Sequence, residues 1–223
     1  MRVAWLAAVL ALAAVTAGCE FAARTGIARD DMLVLTDAQE VIAKTKINHG
    51  DMTIQASVDR PDRSYAPGQP IVLSVSTSKD AHVAILRVLP NGSTTLLFPV
   101  KAQPEPDKTD TKSDKAKTKA DKADTKTQKA SPKIDTAANQ VLTVPGPQDH
   151  FTISVDKPGV VLFEFIASTA GDSWLFTRGP DPNSDFADLG VTSRAIAKDI
   201  VESLKIGGSA DTAATYVTVQ ISK

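Results

Sequence analysis

The sequence predicts a mostly β protein, an antiparallel Ig-like β-sandwich with a C-terminal amphipathic helix and a long disordered loop insertion. Three observations carry this. Short apolar, β-branched runs recur between Pro, Gly, Asn and Asp turns, as in Ile71 to Thr77 and Ala81 to Leu89. Successive runs lie too close together for helical crossovers, which excludes a parallel α/β sheet. Between two of them, residues 101–133 contain no Val, Leu, Ile, Phe, Trp or Tyr.

The amino terminus reads as an export signal. Arg2 is followed by an apolar run from Val3 to Val15, too short to span a bilayer as a stable helix, and then by Thr16-Ala17-Gly18-Cys19. Small residues before a cysteine resemble the bacterial lipoprotein signal, with Thr16 standing where Leu is usual. The resemblance implies a signal peptide over 1–18 and lipidation of Cys19, with palmitate among the acyl chains. Cys19 is the single cysteine, so the chain has no internal disulfide to form. Lipidation would cap the thiol and anchor the chain to a membrane. Glu20 resembles lipoproteins forwarded to the outer membrane. The expected location is the bacterial cell envelope, at the periplasmic face.

A formal net charge of −1 and a pI near 6.3 provide no global field toward nucleic acid, and no nucleic-acid partner is expected. Aromatic residues at 5% are few for a carbohydrate groove or a base-stacking platform.

Residues 19–50 read as a tether with one short helix. Thr36-Asp37-Ala38-Gln39 has the form of a capping box, and a helix over Asp37 to Lys44 follows, either packed on the domain or standing off as a stalk. The β-sandwich domain spans 51–223. Met52, Ile54, Ala56 and Val58 alternate with polar residues and form a one-sided strand. Asp59 to Pro70 is turn-rich. Tyr65 to Pro99 reads as a three-stranded β-meander, with turns at Ser78-Lys79-Asp80 and Pro90-Asn91-Gly92. Its second strand, around Val83 to Val88, is apolar on both faces and therefore central.

Residues 101–138 interrupt the domain with a Lys/Asp/Thr/Ala-rich segment that cannot bury enough apolar area to offset its ordering entropy. It reads either as a solvated spacer or as a basic arm touching lipopolysaccharide, cell wall or an acidic partner. The strands resume at Asn139 to Val144 and at Phe151, Ile153 and Val155. Val160 to Ala167 is a long central strand whose Glu164 must face an edge, water or a partner. Ser168 to Gly190 reads as irregular. A helix from Ser193 to Lys205 carries an apolar stripe of Ile196, Ile200, Val201 and Leu204. Thr192 or Ser193 caps its start and Gly207-Gly208 ends it; it should cover an edge or an end of the sandwich. Ala214 to Ile221 is the last strand.

Several of these features fall in a set order. They are Tyr65-x-Pro67-Gly68, Lys79-Asp80-Ala81-His82-Val83, Asn91-Gly92, Leu96-Leu97-Phe98-Pro99, Val144-Pro145, Pro158-Gly159, Ile166-Ala167-Ser168 and Gly190-Val-Thr192-Ser-Arg194. Together they resemble an uncharacterised bacterial family, number forty-three eighty-four among the domains of unknown function. The resemblance implies an exported, often lipidated β-sandwich of the envelope. It implies no reaction and carries over no functional residues.

Little in the chain points to chemistry. His49, His82 and His150 have no second ligand at zinc-binding spacing, and neither a metal nor a cofactor is expected. Gly-x-Ser-x-Gly and phosphate-loop motifs are absent, and no catalytic residue is assigned. The Asp residues at 62, 80, 172, 181, 185 and 188 sit near turns, where Asp is common anyway. The most suggestive stretch is Asp172 to Leu189. Its Trp174, Phe176 and Phe186, with Arg178 beside them, either plug one end of the sandwich or form a contact for an envelope protein partner. The leading expectation is a non-enzymatic periplasmic lipoprotein that serves as an interaction, assembly or accessory module. The alternative is a ligand-binding module for an envelope polymer or small molecule.

Overall fold

Thr36 starts the first helix, α1 (Asp37–Ala43), by the reciprocal chemistry its sequence predicts: the Gln39 N–H donates to the Thr36 hydroxyl, and the Thr36 N–H donates to Gln39 Oε1. The structure is a computed structural model and describes residues 33–45, 47–99, 135–190, 192–205 and 210–222. The expected signal peptide, Cys19, Gly207-Gly208 and most of the expected insertion lie outside the described residues.

The strands form two sheets. β1 (Ile54–Val58), β3 (Leu73–Thr77) and β6 (Val141–Val144) make a three-stranded sheet in the order β1-β3-β6. The second sheet has six strands. It runs β2 (Ser64–Tyr65), β9 (Thr212–Ile221), β7 (Gly159–Ser168), β4 (His82–Val88), β5 (Thr94–Phe98) and β8 (Ala187–Asp188). Every pairing is antiparallel except the short β2–β9 contact, which is parallel. Two further helices are α2 (Trp174–Thr177) and α3 (Ser193–Lys205).

The sheets pack face to face, as the sequence predicts, around Leu73, Val75, Val83, Ile85, Phe163 and Phe165. A second apolar layer lies on the other face of the six-stranded sheet. There Leu86, Leu162 and Ile166 meet Ile42 of α1, Leu175 of α2, and Ile196 and Ile200 of α3. The predicted stripe of α3 thus finds its partner on a sheet face, not at an edge or an end. Covering both faces explains why β4 and β7 are largely apolar on both sides, with Arg87 and Glu164 as charged exceptions. The α1 helix also packs on this face and does not stand off: Gln39 is fully buried and its Nε2 donates to the carbonyls of Val88 (3.1 Å) and Val160 (2.8 Å).

Two expectations are corrected. Tyr65 to Pro99 is not a three-stranded meander, because β3 belongs to the small sheet while β4 and β5 belong to the large one. The turn at Ser78-Lys79-Asp80 carries the chain from one sheet to the other. The physical reason is burial. The Ser74 and Ser76 side of β3 suits a sheet with one covered face, whereas β4 needs cover on both. The fold also resumes before the expected end of the insertion. Thr136 is buried and bridges Ala81, and Asp135 accepts a hydrogen bond from the Val83 N–H at 2.9 Å.

Candidate functional site

The Asp172 to Leu189 stretch is partly regular. Ser173 caps the single turn of α2 by accepting from the Leu175 N–H, and its hydroxyl bonds Ser203 of α3 at 3.0 Å. This turn divides the four predicted contact residues. Phe176 points inward and is 7% exposed, with its ring 6.0 Å from that of His82 on β4. Phe186 packs toward the core between the sheets and meets Phe151 edge-on at 5.3 Å. Trp174 and Arg178 remain half-buried at the surface.

Trp174 and Arg178 line an open groove between α2 and α3, about 470 Å³ in volume, with Leu189, Ile196, Asp199 and Glu202. Arg178 is held in place: its Nη2 donates to the Asp188 carbonyl at 3.0 Å and lies 3.5 Å from Asp181. Asp181 in turn accepts from the Asp188 N–H at 2.7 Å. Asp80 accepts from the Ala138 N–H at 2.8 Å. These carboxylates fasten loops.

A second site centres on Glu164. It lies in β7, opposite Leu86 of β4 and Tyr216 of β9, and is 3% exposed. Its Oε2 has no hydrogen-bond partner among the described residues. Burial holds its carboxyl well above the usual range. The residue faces the helical layer, under a cavity of about 450 Å³ that Thr45, Asn48, Ala214 and Tyr216 also line. The sequence marks Glu164 as a carboxylate in need of surroundings, but the cavity depends on residues more than a hundred positions earlier.

Residues 64–170 match the model of a domain of unknown function, DUF4384. The match covers just under half of the chain, from β2 to the end of β7. Glu164 lies inside it, while Trp174, Arg178 and α3 lie beyond it. Comparison with curated proteins and with solved structures finds no match.

Among the described residues, no group of three or more His, Cys, Asp or Glu side chains is placed to hold a metal ion. Among the same residues, no helix is long and apolar enough to cross a membrane.

Proposed function

We propose that the protein is a non-enzymatic periplasmic lipoprotein, anchored through Cys19, that acts as an interaction, assembly or accessory module of a bacterial envelope system. The supporting observation is the groove between α2 and α3. It sets an amphipathic Trp174 and a fixed Arg178 beside the Asp199 and Glu202 carboxylates, on helices that are themselves packed on the sheet. Trp and Arg are the residue types that most often anchor protein interfaces, provided that they are held in place before binding. The Ser173–Ser203 hydrogen bond and the Arg178–Asp188 contact provide that hold.

Affinity purification from crosslinked cells tests the reading. Wild type is compared with a Trp174→Ala/Glu202→Lys variant that retains the wild-type melting temperature. A protein partner recovered in near-equal amount with wild type and lost with the variant supports the groove as an interface. A partner retained by the variant removes the groove from the proposal. Cys19→Ser tests the anchor: the protein should leave the membrane fraction, and continued membrane association would count against lipidation.

A further inference from the structure

We propose that the cavity floored by Glu164 is a binding site for a small alkylammonium group. This site is separate from the Trp174 groove, and loss of either leaves the other intact.

Three observations carry the inference. First, Glu164 is a buried carboxyl set among Leu86, which stands opposite it, and Leu162 and Ile166, which flank it on the same face of β7, and its Oε2 has no partner among the described residues. A carboxyl placed there gains nothing for the core and leaves an acceptor unsatisfied. Second, the space above it is of small-molecule size. Its 450 Å³ falls within the roughly 300–1,000 Å³ typical of ligand pockets. Ala43 and Ala214 present methyl groups to a short apolar body, while Thr45 and Asn48 supply polar atoms at the sides. Third, among the described residues the lysine that lines it is engaged elsewhere. Lys44 lies 2.5 Å from Glu40, one turn back on α1, with its side chain 73% exposed.

An ammonium head meets these features. It brings the opposite charge that a buried carboxylate needs, and it is a hydrogen-bond donor toward the unpaired Oε2. The cavity is open on one side, so both charges keep part of their hydration, and the cost of burying the pair is reduced. If Glu164 is protonated before binding, its proton leaves to water as the cation enters.

The experiment uses the full chain with ¹³C-methyl alanine, and follows the Ala43 and Ala214 methyl signals by NMR. The probe is n-butylammonium and the neutral control is 1-butanol. Lys46 lies outside the described residues but is adjacent to Thr45 in sequence, so a Lys46→Met variant is titrated in parallel to remove that amine. The expected result is a saturable shift with butylammonium in wild type, in Lys46→Met or in both. Binding should be at least about tenfold weaker in Glu164→Gln, a loss of about 1.4 kcal/mol, and 1-butanol should produce no saturable shift. Should Glu164→Gln melt early, Ala214→Leu narrows the cavity with the acid retained and should block binding in the same way. Equal binding of the two probes, equal binding by Glu164→Gln, or no saturable shift in either background would each overturn the assignment.

Discussion

Arg87 and Glu164 sit one register step apart on the neighbouring strands β4 and β7, yet they face opposite sides of the sheet. Glu164 stands opposite Leu86, and Arg87 stands opposite Phe163. Strand alternation therefore sends the acid toward the helices and the base toward the core between the sheets. There Arg87 donates from Nη1 to the Ser154 carbonyl at 3.1 Å and from Nη2 to Thr95 Oγ1 at 3.3 Å, while its Nε has no partner among the described residues. Burial lowers the Arg87 pKa and raises that of Glu164. The sheet between them keeps the two buried groups from pairing with each other.

The first prediction follows from the acid. The folded chain holds the Glu164 proton more tightly than the unfolded chain does, so this group's contribution to stability is greatest below the usual value of 4.5 and is lost as pH rises above it. The slope due to this group approaches about 1.4 kcal/mol per pH unit within the window between the unfolded and folded values. Glu164→Gln removes the titration. Thermal melts should show the variant gaining on wild type between pH 4.5 and pH 8 in the absence of added amine. A pH-independent difference would mean that Glu164 is solvated in the native state.

Gln39 supports a second prediction. One side chain closes the capping box of α1 and clamps that helix to two strands. Gln39→Ala leaves the Val88 and Val160 carbonyls without their side-chain donor and should cost about 2 kcal/mol. Gln39→Glu should cost at least as much at neutral pH, since a carboxylate cannot donate to those carbonyls. Denaturant midpoints at constant m-value provide the check.

A third prediction concerns the buried Tyr65, whose hydroxyl donates to Asp59 Oδ1 at 2.7 Å. The same oxygen accepts from the Val72 N–H at 3.0 Å, so this pair pins the turn before β3. Burial, with the Asp59 carboxylate adding to it, raises the phenol pKa above its usual range. Tyr65→Phe should lower stability by about 1–2 kcal/mol without changing the m-value. No measurable loss would show that the hydroxyl bond is replaced by water.

The two aromatics of α2 should separate in a melt. Phe176→Ala empties a site in the layer beneath the helices and should cost about 3–5 kcal/mol. Trp174→Ala removes a half-exposed ring over an open groove, and the cost should stay near 1 kcal/mol. Comparable losses would place Trp174 in the core and weaken the proposed interface.

Features set by local chemistry were legible in the sequence. Thr36 and Gln39 mark α1 because a capping box needs only those two residues at that spacing. Ile196 and Ile200 mark the buried face of α3 by their period alone. The partner sheet of β3 was harder to read, since Ser78-Lys79-Asp80 looks the same whether a chain turns back or crosses over. Its one-sided alternation, set against the two-sided run of β4, was the available signal. The direction of Trp174 and Phe176 was not legible, because α2 is a single turn and too short to show a period, and that of Phe186 was not, because it lies in the irregular loop before β8. The setting of Glu164 was equally hidden: β7 supplies the acid, but the segment after α1 shapes the space above it.

The order in which the chain visits the two sheets has a mechanical consequence. Starting from β1, it passes from the small sheet to the large, back for β3, across again for β4 and β5, back for β6, and finally across for β7. Like a lace drawn through two rows of eyelets, it leaves neither sheet as a continuous piece that could peel away. A single cut between residues 100 and 134 would leave both fragments holding strands in each sheet. The halves of a nicked molecule should therefore stay together on a sizing column, and separate only when denaturant undoes both layers at once.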